Sequence, residues 1–161
     1  MRRLIIFGGT ASGKTTVTKI LSNKLDIPCY STDDIVYKHN WKKKRVSTEK
    51  EKIVKKILTS KNWIIEGVHT EVWLLPVIKK ADLVILLDLP RIVLLKRVLK
   101  RQLLKRNFKH IFKLFYYAWI YKKDHFIWHK NVAIKFNKKL VIFHTNKQIK
   151  QFTDSFTHNK E

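Results

Sequence analysis

The chain has 161 residues, enough for one domain with a hydrophobic core and little room for a second. Apolar residues make up 45% of it, which excludes a disordered protein, and the longest apolar runs are too short to span a membrane. The formal net charge is +23, and a single cysteine excludes an internal disulfide. We therefore expect one globular domain over residues 1–161, located in the cytoplasm, with Cys29 as a small buried side chain.

Strands and helices alternate along the chain, which predicts an α/β fold with a parallel sheet. Short apolar runs predict five strands, over residues 3–7, 27–30, 63–66, 83–87 and 140–143. Helical spacing of apolar residues predicts helices over about 13–25, 48–60, 70–80, 90–106 and 147–152. The remaining long segment, about 107–133, is rich in aromatic residues and lysines and is predicted to be a helical, lid-like insertion.

The sequence GGTASGKT at residues 8–15 fits the phosphate-loop pattern G-x-x-x-x-G-K-[ST] at each fixed position. Gly8 and Gly13 permit backbone angles and close approaches that a Cβ would prevent. Consecutive backbone N–H groups then surround phosphate oxygens, and the start of the following helix adds positive potential. The residues predicted to bind the nucleotide are Gly8, Gly9, Thr10, Ala11, Ser12, Gly13, Lys14, Thr15 and Thr16.

A strand precedes this loop and a helix follows it, which is the context that the pattern requires. Lys14 is expected to reach the β- and γ-phosphates, and the Thr15 hydroxyl is expected to ligate Mg²⁺. ATP and Mg²⁺ are therefore the predicted cofactors. The predicted architecture is a three-layer P-loop NTPase fold, with a five-stranded parallel sheet between helices.

Three predicted strands are followed by an acidic residue, and ligands of open α/β sheets bind at this carboxyl edge. Glu66 closes an apolar strand before a glycine and is the candidate for the Mg²⁺ side. Asp33, with Asp34 as the neighbouring alternative, is the candidate for orienting the acceptor or acting as general base. Asp88 precedes Leu-Pro, and we expect it to have a structural role in a turn or helix cap.

Cationic side chains are also needed where charge develops on a transferring phosphoryl group. Arg97 and Arg101 lie four residues apart on the predicted helix, with Lys105 one turn further, and could close over a nucleotide. The alternative interpretation is a solvated helix face. His69, just after Glu66, contacts either a substrate or only the structure around it.

The positive charge is concentrated in the second half of the chain. Residues 91–150 contain 17 Lys or Arg against one acidic residue, Asp124, a balance that attracts polyanions such as nucleic acid. The alternative is a set of solvated, lysine-rich faces. Aromatic residues stand among these lysines at Phe108, Phe112, Phe115, Tyr116, Tyr117, Trp119, Tyr121, Phe126 and Trp128. They could stack on bases, but the preferred interpretation is a helical pair packed on the core, with lysine stems covering it.

The order of four segments along the chain resembles that in the adenylate-kinase-related P-loop kinases. These segments are the phosphate loop, Asp33, Trp-Ile-Ile-Glu-Gly at 63–67 and the run at 82–90. The chain is most similar to the DNA topology modulation protein family, including Leu-Asp-Leu-Pro-Arg and the arginine pair 97 and 101. The resemblance implies that Glu66-Gly67 lies near Mg²⁺ and that both arginines lead into a mobile lid. Lys122-Lys123-Asp124 stands where adenylate kinases carry further arginines, so AMP specificity is not implied.

The first hypothesis is therefore a kinase that transfers the γ-phosphoryl of Mg·ATP to a small acceptor, which a nucleotide would satisfy. Its predicted catalytic residues are Lys14, Asp33, Arg97 and Arg101. The alternatives are a nucleic-acid-binding protein with a regulatory nucleotide site and a polynucleotide 5′-kinase. The sequence leaves the acceptor open.

Overall fold

The computed structural model describes residues 2–38, 43–106, 111–121 and 124–156. Within these ranges five parallel strands form one sheet. They are β1 (Arg3–Gly8), β2 (Cys29–Ser31), β5 (Trp63–Gly67), β6 (Leu83–Leu87) and β7 (Lys139–Phe143). Their order in the sheet is β2-β5-β1-β6-β7. Because β1 is central, the loop that follows it opens at the middle of the carboxyl edge of the sheet.

Helices connect the strands and cover both faces of the sheet. They are α1 (Lys14–Leu25), α2 (Thr32–Val36), α3 (Ser47–Leu58), α4 (Leu75–Lys80), α5 (Arg91–Lys105), α6 (Ile111–Ile120), α7 (His125–Lys135) and α8 (Asn146–Asp154). Two short strands, β3 (Tyr37–Lys38) and β4 (Lys43–Lys44), form an antiparallel pair, and a 3₁₀ turn over Val72–Leu74 precedes α4.

Side chains alternate between the two faces of the sheet, so each strand contributes to two cores. On β1, Ile5 and Phe7 belong to the core that α3, α4 and α7 cover, whereas Leu4 and Ile6 belong to the other core. The second core is covered by α1, α5 and α8. The predicted three-layer fold with a five-stranded parallel sheet is confirmed.

The segment between β2 and α3 contains structure that the sequence did not predict. Asp33 lies in the first turn of α2, and the Ser31 hydroxyl caps that helix by accepting a hydrogen bond from the Asp33 N–H at 3.2 Å. The helix has five residues, too few to produce a visible apolar period, and the β3–β4 pair has two residues in each strand.

The predicted lid-like insertion contains two helices with different surroundings. Helix α7 packs on the sheet, because Ala133 is buried in the first core and the His129 ring stacks on Phe7 with centroids 3.7 Å apart. Helix α6 packs mainly against α5. Phe108, Lys109, Lys122 and Lys123 of this segment, and the side chain of Lys105, lie outside the described residues.

The expectation that Cys29 is buried is wrong, since its side chain is exposed. The reason is its strand: β2 is an edge strand that pairs only with β5 in the sheet. The apolar residues next to Cys29 in the sequence predict a strand but do not show whether that strand lies at the edge or in the centre of the sheet. No helix among the described residues has the length and apolar character needed to cross a bilayer.

Candidate active site

The phosphate loop combines positive backbone angles with tight packing. Gly13 has φ of 92° at the N-terminus of α1, a conformation that glycine adopts without strain, and Ala11 has φ of 62°. A Cβ at Gly8 would overlap the Ser12 hydroxyl. The Lys14 Nζ lies 3.5 Å from the Gly9 carbonyl oxygen, across the mouth of the loop. The loop therefore has the turn and the lysine placement that a phosphate cradle needs.

Thr15 and Glu66, both predicted to lie on the metal side, are in direct contact. The Thr15 hydroxyl donates a hydrogen bond to Glu66 Oε1 at 3.0 Å. Glu66 is 5% exposed, and its buried Oε2 makes no hydrogen bond of ordinary geometry among the described residues, although the Ser31 hydroxyl lies near enough to the carboxylate to lower its pKa. A buried carboxylate oxygen without a partner is costly unless a ligand completes it.

Burial raises the pKa of the Glu66 carboxyl above its usual value, while the charge of Lys14 and the Thr15 hydrogen bond act in the opposite direction. The charge of Asp33 raises the same pKa. A hydroxyl and a carboxylate are hard oxygen ligands of the kind that Mg²⁺ prefers, so Thr15 and Glu66 fit that ion.

Asp33 faces a histidine across the carboxyl edge of the sheet. The His69 Nε2 lies 3.1 Å from Asp33 Oδ1, and the His69 ring lies between the rings of Tyr37 and Trp73. Helix α2 fixes the backbone of Asp33 through the Ser31 cap. The pair presents a carboxylate whose orientation is fixed by a neighbouring imidazole.

Helix α7 holds the segment that carries His69. His125 Nδ1 donates a hydrogen bond to the Val68 carbonyl, and His129 Nε2 donates to the His69 carbonyl, each at 2.9 Å. Burial lowers the pKa of His129 to about 3, so this ring is neutral at neutral pH. These two histidines are not among the predicted site residues. Their spacing of four residues, which places both on one helix face, was the available indication.

A pocket of about 750 Å³ opens beside Asp33 and His69. Aromatic side chains form much of its wall, and Lys113 of α6 contributes a positive charge. The aromatic members of this wall are Tyr37, His69, Tyr117, Tyr121 and His125. The pocket has the size and mixed lining of a small-molecule site.

A second pocket, of about 610 Å³, lies along the outside of the phosphate loop. Arg97 and Arg101 of α5 line it, together with Asn146 and Lys150 of α8. Its position beside the loop and the start of α1 suits a nucleotide whose phosphates enter the loop.

The two predicted arginines are placed differently within that pocket. Arg97 Nη1 donates to the carbonyl oxygens of Ala11 and Ser12, each at 3.1 Å, and its Nη2 donates to Asn146 Oδ1 at 2.6 Å. Arg97 therefore braces the backbone of the loop in this structure. Arg101 is exposed on the wall of the same pocket.

Asp88 is buried at the end of β6, where its Oδ2 lies 3.2 Å from His144 Nδ1 and its N–H donates to the Phe143 carbonyl at 2.9 Å. These contacts join β6 to β7, as a structural role requires. Asp88 does not cap α5, because that helix begins after Pro90 without a side-chain cap.

Tyr121 is a site residue that the sequence did not predict. Its ring packs on the phosphate loop so closely that a Cβ at Gly9 would lie 3.0 Å from it. The Tyr121 side chain is 3% exposed, lines the larger pocket, and its hydroxyl has no hydrogen-bond partner among the described residues. This contact joins α6 to the loop, and no sequence spacing indicates it.

No protein-family model matches this chain, and no curated protein sequence does so either. Among solved structures, the chain is similar to a shikimate kinase from Acinetobacter baumannii in complex with shikimate. The TM-score is 0.66 at 16% identity, over 96% of this chain and 90% of that one. A shikimate kinase from Bacteroides thetaiotaomicron gives a TM-score of 0.65 at 15% identity, over 96% and 95% of the two chains.

An uncharacterized protein from Eubacterium ventriosum gives a TM-score of 0.59 at 14% identity, over 96% of both chains. At these identities the similarity shows a shared fold. The resemblance to the topology modulation family is not among these findings and stays a prediction. Nucleic-acid binding receives no support from them.

Proposed function

We propose that this protein is an ATP-dependent kinase that transfers the γ-phosphoryl group of Mg·ATP to a small acceptor. The observation that carries the proposal is a pair of pockets: the phosphate loop lines one, and Tyr121, which packs against Gly9 of the loop, lines the other. One pocket runs along the outside of the loop beside Arg97 and Arg101, and the other opens at Asp33 and His69. The charges of Lys14 and Asp33 both act on the pKa of Glu66, in opposite directions.

In this proposal the nucleotide lies in the pocket beside α5 and α8, with its phosphates on residues 8–16. The loop N–H groups and Lys14 stabilise the charge on the β- and γ-phosphates. Arg97 holds the loop through the Ala11 and Ser12 carbonyls, and Arg101 approaches the nucleotide from the same helix. Lys14 and Arg101 are the cations assigned to the transferring phosphoryl group.

Thr15 and Glu66 would hold Mg²⁺. When bound, the ion neutralises phosphate charge and polarises the γ-phosphoryl group. The hydrogen bond between the two side chains supports this assignment, as does the buried Glu66 Oε2, which lacks a hydrogen bond of ordinary geometry among the described residues.

Asp33 is the proposed general base. Its carboxylate accepts the proton of an acceptor hydroxyl as the acceptor oxygen forms a bond to the γ-phosphorus, and the bond from that phosphorus to the β-bridging oxygen breaks, releasing ADP. His69 orients the carboxylate through the contact at 3.1 Å. If the acceptor is itself a phosphate, its oxygen attacks directly and Asp33 acts on orientation alone.

The similarity to shikimate kinases supports a phosphotransferase, and the acceptor is best found by experiment. Mg²⁺ and ATP labelled at the γ-phosphate would be incubated with the protein and a panel of nucleosides, nucleotides, hydroxy acids and 5′-hydroxyl oligonucleotides. We expect label transfer to at least one small acceptor and none with Lys14→Ala.

Lys14→Ala should also abolish ATP binding measured by calorimetry, with the fold intact by circular dichroism. Unchanged ATP affinity in this variant would contradict the assignment of the nucleotide site. ATP binding without transfer to any acceptor would favour a regulatory nucleotide site instead.

A further inference from the structure

The α5–α6 helix pair has an apolar surface that neither pocket uses. Large apolar side chains are exposed at helical spacing on both helices, with Phe112 84% and Trp119 54% exposed. We call this surface the outer face, and its members are Ile92, Leu99, Leu103, Phe112, Tyr116 and Trp119. None of these residues lines the nucleotide-side pocket or the pocket at Asp33.

Helical geometry and one contact bring these side chains together. On α6, positions 112, 116 and 119 fall on one side, while Lys113, Tyr117 and Ile120 line the pocket at Asp33. On α5, positions 92, 99 and 103 lie away from the buried Leu94 and Val98. The two helices pack together, and the Arg91 guanidinium at the start of α5 stands 4.4 Å from the ring centre of Trp119 near the end of α6, so both stripes belong to one packed helix pair.

Cations border the outer face on α5. The exposed Lys96 lies four residues after Ile92, the exposed Lys100 directly follows Leu99, and Arg91 stands over the Trp119 ring. These cations, and the excess of 17 Lys or Arg over one acidic residue in the whole segment 91–150, favour an anionic partner. The same charge opposes a second copy of this chain, because two such faces would repel one another.

The mixture of side chains distinguishes between anionic partners. Bases stack on aromatic rings, but Ile92, Leu99 and Leu103 offer no flat surface for stacking. A bilayer accepts both types, because aliphatic side chains enter the acyl boundary and Trp and Tyr favour the interface. Lysines at the edge of the face would extend to anionic headgroups.

We infer that the outer face binds the surface of an anionic phospholipid bilayer and holds the kinase-like domain there without spanning the membrane. When the protein is docked through the outer face, both pockets stay open, because no residue of that face lines either of them. The inference does not depend on the identity of the acceptor or on the activity of the site.

The test is co-sedimentation with vesicles of phosphatidylcholine alone or mixed with phosphatidylglycerol, at low and high salt. We expect binding to the mixed vesicles, weak binding to the neutral ones, and a decrease with salt. The double variant Phe112→Ser/Trp119→Ser removes two exposed side chains of the face and should lower the partition coefficient about tenfold or more.

The matched control is Val72→Ser/Ile134→Ser, which removes two apolar side chains that are 77% and 58% exposed outside the face. It should bind vesicles as the parent does. Equal loss in both double variants, or undiminished binding of the face variant, would show that general charge drives adsorption and would overturn the inference. Both variants should keep the parent's ATP affinity, which separates this test from that of the proposed function.

Tryptophan fluorescence gives a second readout. Trp119 is exposed, whereas Trp63 and Trp73 are buried, so vesicles with brominated acyl chains should quench a component that Trp119→Phe removes. Absence of quenching would contradict insertion. A face variant that lost affinity for single-stranded oligonucleotide, in a protein that ignored anionic vesicles, would assign the face to nucleic acid. A parent dimer that the face variant converts to a monomer would assign it to self-association.

Discussion

The phosphate loop and the outer face of α5 and α6 differ in how far the sequence alone predicts their structure. In the loop, fixed residue types produce one backbone geometry, as the positive φ of Gly13 and the crowding at Gly8 show. On the outer face, apolar spacing produces a stripe but does not say whether it meets the core or the solvent. The preferred sequence interpretation, packing on the core, is correct for Tyr121, Phe126 and Trp128. It is wrong for the exposed Phe112, Tyr116, Tyr117 and Trp119.

Replacing the proposed base gives the largest expected effect and tests the loop side of the comparison. Asp33→Asn should lower kcat by about 10²–10⁴-fold, because the amide cannot accept the hydroxyl proton. ATP affinity should stay within about twofold of the parent value, because Asp33 lies in the other pocket. The measurement is steady-state kinetics with the acceptor found in the panel.

Asp34→Asn is the matched control for Asp33→Asn, since Asp34 is the next residue of α2 but its side chain is exposed and lines neither pocket of the proposed site. It should keep activity near the parent level. A loss of activity in Asp34→Asn with none in Asp33→Asn would reverse the assignment of the two acids.

Glu66→Gln should weaken the apparent affinity for Mg²⁺ by about 10–100-fold, a loss typical of a ligand shell that has lost a carboxylate. Burial raises the pKa of Glu66, and Mg²⁺ binds the carboxylate form, so the parent's Mg²⁺ affinity should rise as pH increases through that raised pKa. The check is a series of Mg²⁺ titrations at several pH values, followed by activity. The same pH dependence in Glu66→Gln would assign the titration to another group.

Gly9→Ala tests whether α6 and the loop act on each other. The added Cβ would approach the Tyr121 ring to about 3.0 Å, so either the ring or the loop must move, and we expect ATP affinity to fall about tenfold. Tyr121→Leu in the same chain should recover part of the loss, measured by calorimetry. Tyr117→Leu is the control, because Tyr117 lines the same pocket; equal recovery from it would show that the effect is not a direct contact.

The smallest expected effect concerns α7 and its buried histidine. The folded pKa of His129 is about 3 against an ordinary value of 6.5, so the unfolded chain binds a proton between these values and the folded chain does not. The free energy of unfolding should therefore decrease as pH falls below 6.5, by about 2 kcal/mol at pH 5 for this group. Urea unfolding at pH 7 and pH 5 measures it. His129→Leu should lose this part of the pH dependence, whereas the exposed His144→Gln should keep it.

The sequence predicted most of the fold because its strands are short apolar runs fully buried in a parallel sheet, as Leu83–Leu87 shows. It did not predict α2, since a five-residue helix held by the Ser31 cap leaves no periodic pattern. The burial predicted for Cys29 was wrong because strand order decides which strand is an edge.

The candidate site also has parts that the sequence predicted and parts that it did not. The phosphate loop could be predicted from the sequence alone, because each fixed position of residues 8–15 is required by the local backbone conformation or by phosphate binding. It also indicated Asp33 and Glu66, because acids that follow parallel strands gather at one sheet edge. Their roles stay predictions.

The contacts that these residues make depend on the tertiary structure and could not be predicted from the sequence. The Thr15–Glu66 hydrogen bond joins positions 51 residues apart, and Arg97 reaches the Ala11 carbonyl across 86 residues. The histidines of α7 and Tyr121 join the site through packing of whole helices on the sheet and the loop. Local spacing determines a helix and its stripe, but the partner that covers the stripe depends on the packing of the complete chain.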